Sequence, residues 1–215
     1  MDTKIRLCFA KTDTLRFIGH LDFLKVFQQT IRRSALPIAY SQGFNPHQIL
    51  SFALPLPLGM ESAHDYADIT LTTEVPYDEI VNRLNKSVPQ GLHFFAAYGV
   101  TGPPAAAATI AADYKVTTLL PRDLLQANAE KILATEALVI PKKTKSGVKL
   151  TDIRPDIFDI RLVDDGVWLR LSAGSMRFLN PLLVAEQLLE HPASNSDICR
   201  LELYQTDGNG ALIPL

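Results

Sequence analysis

Between Arg16 and Pro57 the chain gathers side chains able to bind or transfer. Arg16, His20 and Asp22 fall within seven residues, followed by Lys25, Arg32 and Arg33. Then comes Tyr40-Ser41-Gln42-Gly43-Phe44-Asn45-Pro46-His47, with two aromatic rings, two amides, a hydroxyl and an imidazole around one glycine. This set suits an unstacked nucleobase: a ring stacks on its face, an amide reads its edge, and a guanidinium pairs with the phosphate. Arg16, Lys25, Arg32, Arg33, Tyr40, Gln42, Phe44 and Asn45 are therefore the nucleic-acid-binding candidates. Taken singly, Phe44 reads better as a core ring of a packed turn; the set as a whole holds more polar donors than a turn needs.

The same stretch offers an acid–base reading. His20, Tyr40 and His47 are the catalytic candidates if the fold brings them together, since imidazole and phenol exchange protons near neutral pH. His20 and Asp22 do not make a dyad, because positions two apart on a helix point to different faces. Asp22 instead suits the positive end of a helix dipole. In the second half, Thr151-Asp152-Ile153-Arg154-Pro155-Asp156 reads equally as a turn with local ion pairing and as a phosphate contact through Arg154, helped by the lysines of 142–149. No metal site is expected, as His47, His64 and Asp65 lack ligand spacing. His64, His93 and His191 read as surface or strand histidines. The chain has no CxxxCxxC, no GxxxxGK[ST], no GxGxxG and no HExxH, so it cannot ligate a [4Fe–4S] cluster of its own and shows no nucleotide or zinc motif.

The elements that must position these groups follow from periodicity. Residues 4–10 alternate and predict a strand; residues 20–36 place Leu21, Leu24, Phe27 or Gln28, Ile31 and Ala35 at helical steps, stopped by Pro37. Strands are predicted at 49–58, 64–72 and 92–98, with a helix at 77–88 between the last two. The segment 99–112, rich in Gly, Pro and Ala and uncharged, reads as a linker. Beyond it the order repeats: strands at 114–119, 137–140, 157–163, 167–172 and 198–204, helices at 121–134 and 181–190, and a hairpin turn at Asp164-Asp165-Gly166. The expected fold is α+β: two tandem ferredoxin-like (βαββαβ) units, 1–98 and 113–215, each an antiparallel sheet with helices on one face.

With 47% hydrophobic and 20% charged residues, the 215-residue chain has the material for a packed core. The net charge of −2 conceals seven basic and three acidic residues in 1–50 against two and six in 51–112, so any anion-binding surface is local. Two cysteines, Cys8 and Cys199, make no disulfide framework. No apolar run reaches membrane-spanning length, and the start lacks a signal-peptide core, so a cytoplasmic protein is expected.

The stretch from Arg16 to Ser62, RFIGHLDFLKVFQQTIRRSALPIAYSQGFNPHQILSFALPLPLGMES, resembles the bacterial domain of unknown function that accompanies radical SAM proteins, either fused C-terminal to one or encoded separately. Thr151 to Pro155 resembles a second motif of that family. The resemblance implies a radical SAM protein as partner, with any 4Fe-4S cluster and S-adenosylmethionine carried by that partner and no cofactor in this chain. Together with the aromatic–amide loop, it gives the expected function: an accessory module binding or presenting tRNA or rRNA during RNA modification. The alternatives are an RNA-acting enzyme built on the His/Tyr set and a protein adaptor for the partner.

Overall fold

The computed structural model describes residues 2–144 and 147–215. Lys145 and Ser146 of the expected lysine run lie outside the described residues. In the first half, β1 (Thr3–Lys11), α1 (His20–Arg33), β2 (Leu50–Phe52), β3 (Glu61–Leu71), α2 (Tyr77–Asn85) and β4 (Leu92–Gly99) follow one another. After α3 (Ala105–Ala108) come β5 (Ala111–Thr117), α4 (Arg122–Ala134), β6 (Val139–Thr144), β7 (Gly147–Asp152), β8 (Ile157–Val163), β9 (Gly166–Ser172), α5 (Pro181–Leu189), β10 (Ile198–Thr206) and β11 (Leu212–Pro214). The result is a mixed α/β fold with one large, mostly antiparallel sheet and, among the described residues, five α-helices.

The sheet runs β4-β1-β3-β10-β5-β9-β8, with β2 added to β3 and β11 to β10. Two separate sheets were the expectation; one nine-stranded sheet is the outcome. The join is parallel and short: Cys199 and Arg200 of β10 pair with Glu61 and Ser62 of β3. It exists because β2 covers only Ile69 to Ala67 of the same β3 edge. The predicted strand 49–58 stops at Phe52, since Pro55 and Pro57 cannot donate to a ladder, and the free start of β3 is left for β10. The described part of the lysine run lies on β6 and β7, which pair antiparallel with each other apart from this sheet.

Two hydrophobic clusters fill the interior. One lies beneath α1 and α2 and centres on Phe9, whose ring meets Phe23, Phe27, Phe52 and Phe94 at centroid distances of 5.1–6.0 Å. α1 buries Phe23, Phe27, Thr30 and Ile31, so its inward stripe is rotated from the expected one and Leu21 is exposed. The other cluster joins α4, α5 and their strands to Cys8, Tyr66 and Met60 of the first half. Both faces of β1 and β3 are therefore covered.

The expected linker 99–112 is not free chain. It contains α3, with Ala105 and Ala108 buried. The Arg6 guanidinium, held by both oxygens of Asp68 (2.8 and 3.2 Å), also donates to the Pro103 carbonyl (3.1 Å), while Asp68 accepts the Ala105 N–H (2.7 Å). Small residues here allow close packing against the sheet.

The β8–β9 hairpin forms at the predicted turn. Gly166 has φ +155°, and a Cβ there would stand 1.9 Å from the Val116 carbonyl oxygen on the neighbouring strand. Gly166→Ala therefore costs about 1–3 kcal/mol, through backbone strain and displacement of β5, and urea denaturation reads the loss. An unchanged midpoint would show that the turn relaxes freely.

Candidate functional site

The loop after α1 is built as a projecting turn. Ser41 N–H donates to the His47 carbonyl (2.8 Å), the His47 N–H returns to Ser41 Oγ (3.1 Å), and the hydroxyl also meets His47 Nδ1 (2.8 Å). Gly43, at φ +122°, turns the chain at the tip. Tyr40 pairs with Gln48 at the base, and buried Gln48 donates Nε2 to the Gln28 carbonyl (3.3 Å), which fixes the loop on the second half of α1. Phe44 is fully exposed rather than a core ring, and Tyr40, Gln42, Asn45 and His47 are exposed around it.

Of the basic candidates, Arg32 belongs with this loop. It stands one turn beyond Gln28, on the same helix face, exposed, and its guanidinium has no hydrogen-bond or ion-pair partner among the described residues. Arg33 turns away, donating twice to the Ser87 carbonyl (3.2 and 2.8 Å). Lys25 is paired with Asp22 (3.0 Å) on the exposed face. Arg154 is spent on structure: its guanidinium donates to the carbonyls of Ile157 and Leu133 (2.9 Å each), and Asp152 accepts N–H groups of Leu138 and Arg154. The turn reading of the second motif, not the phosphate reading, matches this geometry.

The catalytic candidates do not converge. His20 opens α1 and packs edge-on against Phe52, with centroids 5.6 Å apart. His47 lies five extended residues before Phe52, about 15 Å along the chain. Tyr40 sits at the base of the same loop as His47, away from the start of α1 that carries His20. Arg16 stays at the His20 end, over the Phe17 ring (4.9 Å) and 3.4 Å from Glu61. α1 itself, about 20 Å long, separates Arg16 and His20 from Arg32.

A group absent from the sequence reading lies beneath His20. Lys11 is 2% exposed, Asp65 4% and Arg200 0%. The Arg200 guanidinium pairs with Asp65 and donates to the carbonyls of Leu54 (3.0 Å) and Pro55 (3.4 Å). Asp65 Oδ1 accepts the Tyr66 N–H (2.9 Å). The Lys11 ammonium donates to the Ile18 carbonyl (3.2 Å) and lies 4.8 Å from the centre of the Phe23 ring. Burial lowers the Lys11 pKa, against the pull of Asp65, and burial raises that of Asp65, against Arg200. Nothing in the periodicity pointed here, because a lysine ending an alternating strand reads as an exposed rim.

Among the described residues no group of three or more His, Cys, Asp or Glu is placed to hold a metal, and no helix is long and apolar enough to cross a membrane. Residues 4–181 match the model of a family described as an uncharacterized protein conserved in bacteria, DUF2344. The chain belongs to this family. No curated protein matches it. The DUF2344 match carries no radical SAM link. It takes in the projecting loop, Lys11, His20 and Asp65, and stops short of β10, which supplies Arg200.

Proposed function

We propose that this DUF2344 protein binds single-stranded or loop RNA through residues 40–48 and presents it to a partner enzyme. The observation that carries this reading is Phe44, an apolar ring fully exposed at the tip of a polar loop. Such a ring adds nothing to the core, whereas base–aromatic stacking contributes about 1–3 kcal/mol per base. Half-exposed Tyr40, the amides of Gln42 and Asn45, and the unpaired Arg32 supply a second face, edge contacts and a phosphate partner. A radical SAM enzyme as the partner, and tRNA or rRNA as the nucleic acid, rest on the resemblance of Arg16 to Ser62. The tandem ferredoxin-like reading, with units 1–98 and 113–215, draws support from matching strand orders, β4-β1-β3-β2 and β10-β5-β9-β8.

Binding to a panel of fluorescent single-stranded and hairpin RNAs tests the proposal. Phe44→Ala weakens binding by roughly 5- to 150-fold, the equivalent of one lost stack. Arg32→Ala lowers the slope of log K against log salt by about 0.7, the value for one phosphate contact on a single strand. RNA affinity untouched by both changes, or no RNA binding at low salt, overturns the reading.

A further inference from the structure

We propose that the ribbon formed by β6 and β7 docks on a double-stranded stem of RNA, with Lys142 and Lys149 set against its phosphates. The proposal deepens the RNA reading of the 40–48 loop and rests on it for the choice of nucleic acid: the loop takes unpaired bases, and the ribbon takes paired ones.

The two strands pair with each other and stand apart from the large sheet. Buried Ile140 and Ile153 hold the base of the ribbon, where the Ile153 N–H donates to the Leu138 carbonyl (2.9 Å). Beyond that base the ribbon adds little to the interior: Pro141, Gly147, Val148, Lys149 and Leu150 are all exposed. The register sets Lys142 directly opposite Lys149, on one face of the ribbon. Like charges facing each other across two strands are destabilising. Neither ammonium has a carboxylate partner among the described residues. Residues 137–151 hold four lysines and no acidic residue, in a chain of net charge −2. An anion set between Lys142 and Lys149 turns their repulsion into attraction. Arg154 takes no part, since its guanidinium is held by the carbonyls of Ile157 and Leu133.

The residue types of the ribbon define its partner. Residues 137–151 contain no aromatic ring and no Asn or Gln, so nothing there stacks on an unpaired base or reads its edge. The contacts on offer are charge to phosphate, and the apolar side chains of Val148 and Leu150 on the opposite face. A duplex meets that supply. Its bases are turned inward, its phosphates stand in fixed rows, and its wide, shallow minor groove presents sugar edges to apolar groups. A lipid surface fits less well, because the ribbon has no Trp or Tyr to sit at the headgroup level.

The probes are a blunt RNA duplex without unpaired residues, an unpaired RNA of the same length, and vesicles of phosphatidylserine and phosphatidylcholine, each titrated against the full chain. The duplex binds at low salt. Lys142→Gln/Lys149→Gln weakens it about tenfold or more and lowers the slope of log K against log salt by about 1.8, as for two lost phosphate contacts. The same double change leaves the affinity for the unpaired RNA as it was. Lys149→Glu sets an opposite charge across from Lys142, so the melting temperature holds or rises while duplex binding falls further; a variant that merely unfolded would lose both. Unchanged duplex affinity and salt slope in the double variant, no duplex binding at low salt, or lysine-dependent binding of the vesicles in its place overturns the proposal. Polyglutamate bound as tightly as the duplex also overturns it, by reducing the ribbon to a contact for any polyanion.

Phe44→Ala separates this proposal from the reading of the loop. Should the loop reading fail, Phe44→Ala changes nothing for the unpaired RNA, while the lysine variants still weaken the duplex. Should the ribbon fail, the unpaired RNA binds and responds to Phe44→Ala, while the duplex ignores both lysines.

Discussion

Asp65→Ala lowers the free energy of unfolding by about 3–5 kcal/mol, the cost of leaving a buried charge without its partner. The carboxylate lies between Arg200 and the Tyr66 N–H, and Lys11 shares its surroundings. Removing it strands a guanidinium that water cannot reach and that anchors β10 to the Leu54–Pro55 backbone. Urea denaturation of Asp65→Ala, Arg200→Met and the pair Asp65→Leu/Arg200→Met forms the cycle that reads the coupling. Each single change is strongly destabilising, and the double change recovers much of the loss, because a packed apolar pair replaces a buried ion pair at little net cost. A loss below about 1 kcal/mol in Asp65→Ala would place the pair in the class of solvated ion pairs and overturn this account.

Phe27→Ala costs about 3–5 kcal/mol, as for other large aromatic truncations in a packed core. The ring is fully buried, with neighbouring ring centroids at 5.1 Å (Phe9 and Phe52), 5.3 Å (Phe94) and 6.0 Å (Phe23). It ties α1 to β1, β2 and β4 at once, so a void there touches three strands. Phe44→Ala removes the same atoms from a solvent-facing tip and changes stability by no more than about 0.5 kcal/mol. Thermal melts of the two variants side by side make the comparison. A Phe27 variant as stable as the Phe44 variant would mean that the cluster collapses around the gap.

Much of the order of strands and helices was legible because β1, α1, α2 and α4 each carry a regular apolar period, whereas the short α3 and β11 and the polar β7 were not read. β3 was harder to read. Tyr66 faces one cluster and Ile69 and Leu71 the other, so its two sides are both apolar and the alternation slips. The single sheet was not legible at all, since two residues of parallel pairing between Glu61 and Arg200 leave no local pattern. The projecting loop was visible from its residue types, though Phe44 was expected inside and stands outside. Arg154 illustrates the opposite failure: its carbonyl partners, Leu133 and Ile157, are distances in space, and no motif names them. Lys11 and Arg200 escaped because charged residues are expected at the surface, whereas Arg200 is enclosed against the Leu54 and Pro55 carbonyls and Lys11 against the Ile18 carbonyl and the Phe23 ring.

The position of β10 bears on how the molecule is made. Among the described strands of the sheet only β11 follows it in the chain, yet it occupies the middle of the sheet between β3 and β5. The first four strands find their partners early. Until residues 198–206 arrive, β5 keeps one bare flank, a row of unsatisfied amides and carbonyls open to a neighbouring nascent chain. The interval between synthesis of β9 and insertion of β10 is thus the period of greatest exposure to misassembly.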